Sequence, residues 1–144
     1  MRVSAILAHK GSTVATIAPE APVAEAAGHL RLRGVGALVV SSDGRGIEGI
    51  ISERDIVLRL AEHGEAVLHE RVAEVMTRDV HTCAPDDSCE DLARTMTEHR
   101  HRHLPVVVQG ALVGIVSIGD IVKARLAELE EERRALHDYI VTGR

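Results

Sequence analysis

One pattern is written twice along this chain, and the duplication constrains the fold more than any other feature. Val14-Ala15-Thr16-Ile17-Ala18-Pro19 matches Val80-His81-Thr82-Cys83-Ala84-Pro85 at an offset of 66. Helical apolar spacing follows at the same offset, with Val23, Ala26, Ala27 and Leu30 answered by Cys89, Leu92, Ala93 and Met96. The apolar runs Ala37-Leu38-Val39-Val40 and His103-Leu104-Pro105-Val106 come next. Gly49-Ile50-Ile51-Ser52-Glu53-Arg54-Asp55-Ile56-Val57 then matches Gly114-Ile115-Val116-Ser117-Ile118-Gly119-Asp120-Ile121-Val122, with six identities in nine positions at an offset of 65. The lost residue falls in a turn, where Asp43-Gly44-Arg45-Gly46 shortens to Gln109-Gly110. Even the leading segments correspond, Val3-Ser4-Ala5-Ile6-Leu7 to Val72-Ala73-Glu74-Val75-Met76.

Each copy reads as a helical turn, a short strand, a helix, then two strands joined by a Gly-containing turn, then a helix. Pro22 suits a first helical position, and Asp86, Asp87 or Ser88 can cap the matching helix. The stretch from about Glu62 to Glu70 reads as a short polar linker. Neither copy can cover its sheet face alone, so the two should pack together. With no Phe, no Trp and a single Tyr, the core must come from aliphatic residues and Met.

The order β-α-β-β-α, its tandem duplication and the G-h-h-S-x-x-D-h motif closing each copy resemble a pair of CBS domains (cystathionine-β-synthase type), or Bateman module. The resemblance covers about residues 1 to 125 and suggests a stand-alone bacterial-type protein of this family. It implies a mixed α/β (α+β) fold of two repeats about a pseudo-twofold axis. The expected division is repeat 1 at 1–68, repeat 2 at 69–126 and a C-terminal helical extension at 127–144.

The motif has a bland reading and a functional one, and they are compatible. Ser52-x-x-Asp55 and Ser117-x-x-Asp120 can be capping boxes where a strand becomes a helix. A helix N-terminus also offers free N–H groups to a phosphate, and a carboxylate there can accept both hydroxyls of a ribose. The resemblance implies two adenine-nucleotide sites, each joining the motif of one repeat to strands of the other. The first would use Ile50, Ser52, Arg54 and Asp55 with Thr82, Cys83, Ala84, His101, Arg102 and His103. The second would use Thr16, Ile17, Ala18, Val35, Gly36 and Ala37 with Ile115, Ser117 and Asp120. Arg54 and Arg102 give the first site its charge for phosphate; Gly119 and Gly36 stand at the matching places of the second.

The implied function is non-catalytic: a signal-transduction sensor that binds AMP first, with NAD(H), ADP, ATP and S-adenosylmethionine as alternatives, and needs no cofactor. An effector protein of unknown identity would read the bound state. No Ser-His-Asp or Cys-His arrangement suggests catalysis. The net charge of −5 and the lack of aromatic stacking residues argue against nucleic acid. No run approaches the ~20 apolar residues of a membrane span, and Met1 to Gly11 does not resemble a signal peptide; a cytoplasmic protein is expected.

His99-Arg100-His101-Arg102-His103, with His81 and Cys83, raises the alternative of a metal-dependent stress regulator. The interleaved arginines would repel a cation, so no metal site is expected. Cys83 and Cys89 stand where the first repeat has Ile17 and Val23, which marks them as small core residues. The last helix is expected from about Ile118 towards Ile140. Its apolar positions Ile121, Val122, Leu126, Leu129, Leu136 and Tyr139 suit either a solvated surface or a homodimer contact.

Overall fold

A computed structural model describes residues 1–143 of the chain. Repeat 1 contains α1 (Val3–Lys10), β1 (Thr16–Ile17), α2 (Val23–Arg33), β2 (Ala37–Val40), β3 (Gly49–Ser52) and α3 (Glu53–His63). A 3-10 turn, Gly64–His69, leads into α4 (Val72–Val75), α5 (Cys89–His99), β4 (His103–Val108), β5 (Ala111–Ser117) and α6 (Ile118–Thr142). In the first sheet β1 runs parallel to β2, and β2 pairs antiparallel with β3. In the second sheet β4 and β5 form the hairpin. The strand expected around Cys83 shrinks to one parallel bridge, Cys83 to Val106.

The helix starts follow from local chemistry. Ser52 Oγ accepts the Asp55 amide at 3.2 Å, while Asp55 Oδ2 accepts the Ser52 amide at 2.9 Å. Ser117 and Asp120 repeat this at 3.1 and 2.9 Å. Both motifs are therefore capping boxes at strand-to-helix junctions. Ser88 is the cap of α5, and Asp87 instead accepts the Ala84 amide. Pro22 sits one place earlier than expected, as the residue before the helix.

Two aliphatic cores form, and the leading segments cross between them. Val3 and Ile6 of α1 pack with Leu92, Met96, Leu104, Val106 and Val116 of the second repeat. Val67 and Val72 pack with Val23, Leu30, Leu38, Val40 and Ile51 of the first. The same backbone bonds fix both crossings. Val72 N–H donates to Ala21 O (2.8 Å) and Val23 N–H to Glu70 O (2.9 Å). Val3 N–H donates to Asp87 O (3.0 Å) and Cys89 N–H to Met1 O (2.9 Å).

The motif glycines let this crossing close. A Cβ at Gly49 would lie 2.6 Å from Met76 Sδ and 2.8 Å from Thr77 O. A Cβ at Gly114 would lie 2.7 Å from Leu7 Cδ2. Leu7 and Met76 are equivalent positions of the leading segments, so each copy seats the other's leader against its glycine.

One expectation needs correction. The stretch from Glu62 to Glu70 is not a polar linker: α3 runs through His63, and Val67 is fully buried in the first core. Glu70 is clasped by Arg59 (3.0 Å) and His63 (2.8 Å), which hold its carboxyl below the usual range. Val72 completes that core, while Val3 and Ile6 of α1 pack in the other.

Candidate nucleotide cleft

The two capping boxes open onto one cleft of about 540 Å³, within the range of small-molecule sites. Ser52, Glu53, Arg54 and Asp55 line it from α3, and Ser117, Ile118 and Gly119 from α6. In each first turn the leading amide is already used: Glu53 N–H donates to Gly36 O (3.0 Å) and Ile118 N–H to Arg102 O (2.9 Å). The third amide goes to the cap serine. The amides of Arg54 and Gly119 are left as donors at the positive end of each helix dipole.

Arg54, Arg100 and Arg102 also line the cleft. Some arginines elsewhere pair with acids, as in Arg133–Glu130 at 2.7 Å. Among the described residues these three make no ion pair within 4.0 Å, although Glu53, Asp55 and Asp79 line the same cleft. Arg100 reaches its place through a left-handed backbone, φ 58°, at the end of α5. Sequence reasoning did not single it out, because a non-glycine residue in that conformation leaves no local mark.

Of the first expected site, Ile50, Ser52, Arg54, Asp55, His101, Arg102 and His103 line the cleft. Thr82, Cys83 and Ala84 do not. Cys83 points into the second core, where burial pushes its thiol up to about 12. Thr77, Asp79, Val80 and His81 form that wall instead. The shift arises because Thr77 pairs with Ile50 through both backbone bonds (3.0 and 2.8 Å) and brings residues 77–81 alongside β3.

The second expected site is not open in the same way. Only Gly36 and Ser117 of its set line the cleft. Thr16, Ile17, Ala18, Val35, Ala37, Ile115 and Asp120 lie outside the lining, with Ile17 in the first core. Lys10 accounts for the difference at Asp120. Its Nζ donates to Asp120 Oδ2 at 2.6 Å and to Ile115 O at 3.0 Å. At Asp55, Thr77 makes the equivalent contacts: its hydroxyl donates to Asp55 Oδ1 (3.1 Å) and its amide to Ile50 O (2.8 Å). A neutral hydroxyl leaves the Asp55 carboxylate free to accept more; an ammonium neutralises Asp120. Burial raises the Asp120 pKa, but the Lys10 bond and the Ser117 amide outweigh it, so the carboxyl lies below its ordinary value.

His81, His99 and His101 gather with ring centroids 4.2, 4.7 and 6.3 Å apart. His103 packs against Gly36, whose Cβ would sit 3.4 Å from the ring. Burial, then Lys10 and Arg102, hold its pKa below the ordinary value. His101 is lowered by burial and then by His81.

A model of the CBS domain matches residues 8–62 and again 72–127. The chain belongs to the CBS-domain family. The CBS-domain protein YhcV of Bacillus subtilis is 38% identical over 108 residues, 75% of this chain and 76% of its own length. A mitochondrial CBS-domain protein of Arabidopsis thaliana, CBSX3, is 36% identical over 113 residues, 76% of this chain; the match spans only 55% of that relative. Among solved structures, the CBS-domain protein ATU1752 of Agrobacterium tumefaciens superposes with a TM-score of 0.84 at 42% identity, covering 87% of this chain and 99% of that one. The CBS pair of protein MJ0100, solved with 5'-methylthioadenosine and S-adenosyl-L-methionine, gives 0.78 at 27% identity, covering 89% and 98%.

Proposed function

We propose that this CBS pair is a non-catalytic sensor that binds AMP in the cleft. The observation that carries this reading is three unpaired arginines around two free helix N-terminal amides in one cleft. That arrangement suits an anion. Asp55 would accept the ribose hydroxyls, Ile50 and Val80 would flank the base, and Arg54, Arg100 or Arg102 would meet the phosphate. S-adenosylmethionine carries a net positive charge and offers the arginines one carboxylate where AMP offers a dianionic phosphate, which favours a nucleotide over it. The Lys10–Asp120 pair occupies the carboxylate a second ribose would need, which favours a mononucleotide over NAD(H).

Binding would join the two repeats across the cleft and shift the population of relative arrangements that an effector protein reads. The exposed apolar side chains of α6, among them Leu126 and Leu129, would form a homodimer contact. Native mass spectrometry of the purified protein, followed by titration with AMP, ATP, NAD and S-adenosylmethionine, tests the ligand. AMP binding at least as tightly as the others supports the reading. Preference for S-adenosylmethionine would overturn the AMP assignment.

A further inference from the structure

One side-chain group on the cleft wall is left unused by nucleotide recognition. Asp79, His81 and His101 each offer a ligand atom, and these atoms all lie within 4.8 Å of one another. Asp79 and His81 come from the segment that Thr77 pins to β3, and His101 from the turn after α5. Elements far apart in sequence therefore deliver the three groups to one point. We propose that Asp79, His81 and His101 form a binding site for one borderline divalent transition-metal ion of the Zn²⁺ class.

The donor chemistry selects that class. Two imidazole nitrogens and one carboxylate oxygen suit Zn²⁺ or Ni²⁺, whereas Mg²⁺ demands an oxygen shell. Asp79 Oδ2 stands 4.0 Å from His81 Nε2, too far for a hydrogen bond but close enough for both to reach one ion. His81 and His101 approach with ring centroids 4.7 Å apart, a crowding of like groups that a shared cation would relieve. His99 stacks on the face of His81 at 4.2 Å and holds its plane, so it positions a ligand without being one. The carboxylate of Asp79 offsets the charge of the neighbouring arginines. Three protein ligands leave a position open, and because all three line the cleft that position is available to a ligand oxygen or to water.

The test is calorimetric titration of the untagged, metal-stripped full chain with ZnCl₂, and separately MgCl₂, without nucleotide. One Zn²⁺ per chain and no Mg²⁺ binding are expected. His81→Ala and His101→Ala should each lose Zn²⁺ binding, and Asp79→Asn should weaken it. His63→Ala, away from the cleft at Glu70, should bind as the wild type does. The Asp79, His81 and His101 variants should keep the wild-type urea midpoint within error, because these side chains lie outside both cores. Absence of stoichiometric Zn²⁺ binding, or wild-type binding by His81→Ala or His101→Ala, would overturn the proposal. Because nucleotide is omitted, such a failure leaves the AMP reading standing.

Discussion

Replacing Gly49 by Ala probes the crossing of the leading segments. The new methyl would meet Met76 Sδ at 2.6 Å and the carbonyl oxygen of Thr77 at 2.8 Å. Met76 can change rotamer. The carbonyl cannot move cheaply, because it accepts the Ile50 amide at 3.0 Å. Overpacking of this kind costs about 1–3 kcal/mol, and the lost flexibility of the unfolded chain returns about 0.4–1 kcal/mol. A net destabilisation of about 1–2 kcal/mol is expected. Gly114→Ala is the internal control. Its methyl would meet only the tip of Leu7, which can swing away, so the net change should be about 1 kcal/mol or less. Urea unfolding of both variants reads the difference as a shift in midpoint at unchanged slope. Displacement of Thr77 should also weaken AMP binding in Gly49→Ala, since its hydroxyl orients Asp55. Equal midpoints for the two variants, or a larger loss in Gly114→Ala, would refute the argument.

Val67→Ala should cost about 2 kcal/mol or more in urea unfolding, as for a core residue; a cost near zero would restore the linker reading of that stretch. The Lys10–Asp120 pair should make acid stability depend on Lys10. The folded-state pKa of Asp120 is depressed, so the pair's contribution is present above the unfolded value of about 3.9 and is lost as pH falls through the folded value. The stability gap between the wild type and Lys10→Met should therefore be widest near neutrality and shrink below about pH 4; a gap that does not change with pH contradicts it. Leu126→Glu should shift the sedimentation mass from dimer to monomer if α6 forms the homodimer contact; a wild-type monomer at micromolar concentration contradicts that contact.

Much of this fold is legible in the chain because local signals repeat. The S-x-x-D pair specifies a cap through bonds within four residues, so both boxes appear where the motif places them. The hairpins follow from apolar runs around glycine turns. The crossing is not legible, because α1 and α4 carry the same apolar spacing whichever repeat they cover. Val67 escaped notice because Ala66-Val67-Leu68 is a run of only three apolar residues between polar neighbours, although a single buried valine suffices to anchor the turn. Lys10 and Asp79 were missed for a different reason. Each acts across the tertiary structure, Lys10 on a carboxylate 110 positions away. The signal that could have found Lys10 lies in the alignment of the leading segments. It occupies the place of Asp79, just past Thr77, so the two halves were bound to treat their aspartates differently.

The central claim is that the cleft recognises the phosphate of an adenine nucleotide, and the ratio of AMP to adenosine affinity tests it most directly. Calorimetry on the wild type and Arg102→Ala measures that ratio. Arg102 makes no ion pair among the described residues, so its removal should leave the fold intact. A charge-assisted contact is worth about 1.5–3 kcal/mol, so AMP should weaken by about 10- to 100-fold in Arg102→Ala while adenosine is unaffected. If the wild type binds AMP and adenosine equally, or Arg54→Ala, Arg100→Ala and Arg102→Ala all bind AMP as the wild type does, the arginines are not a phosphate site and the account fails.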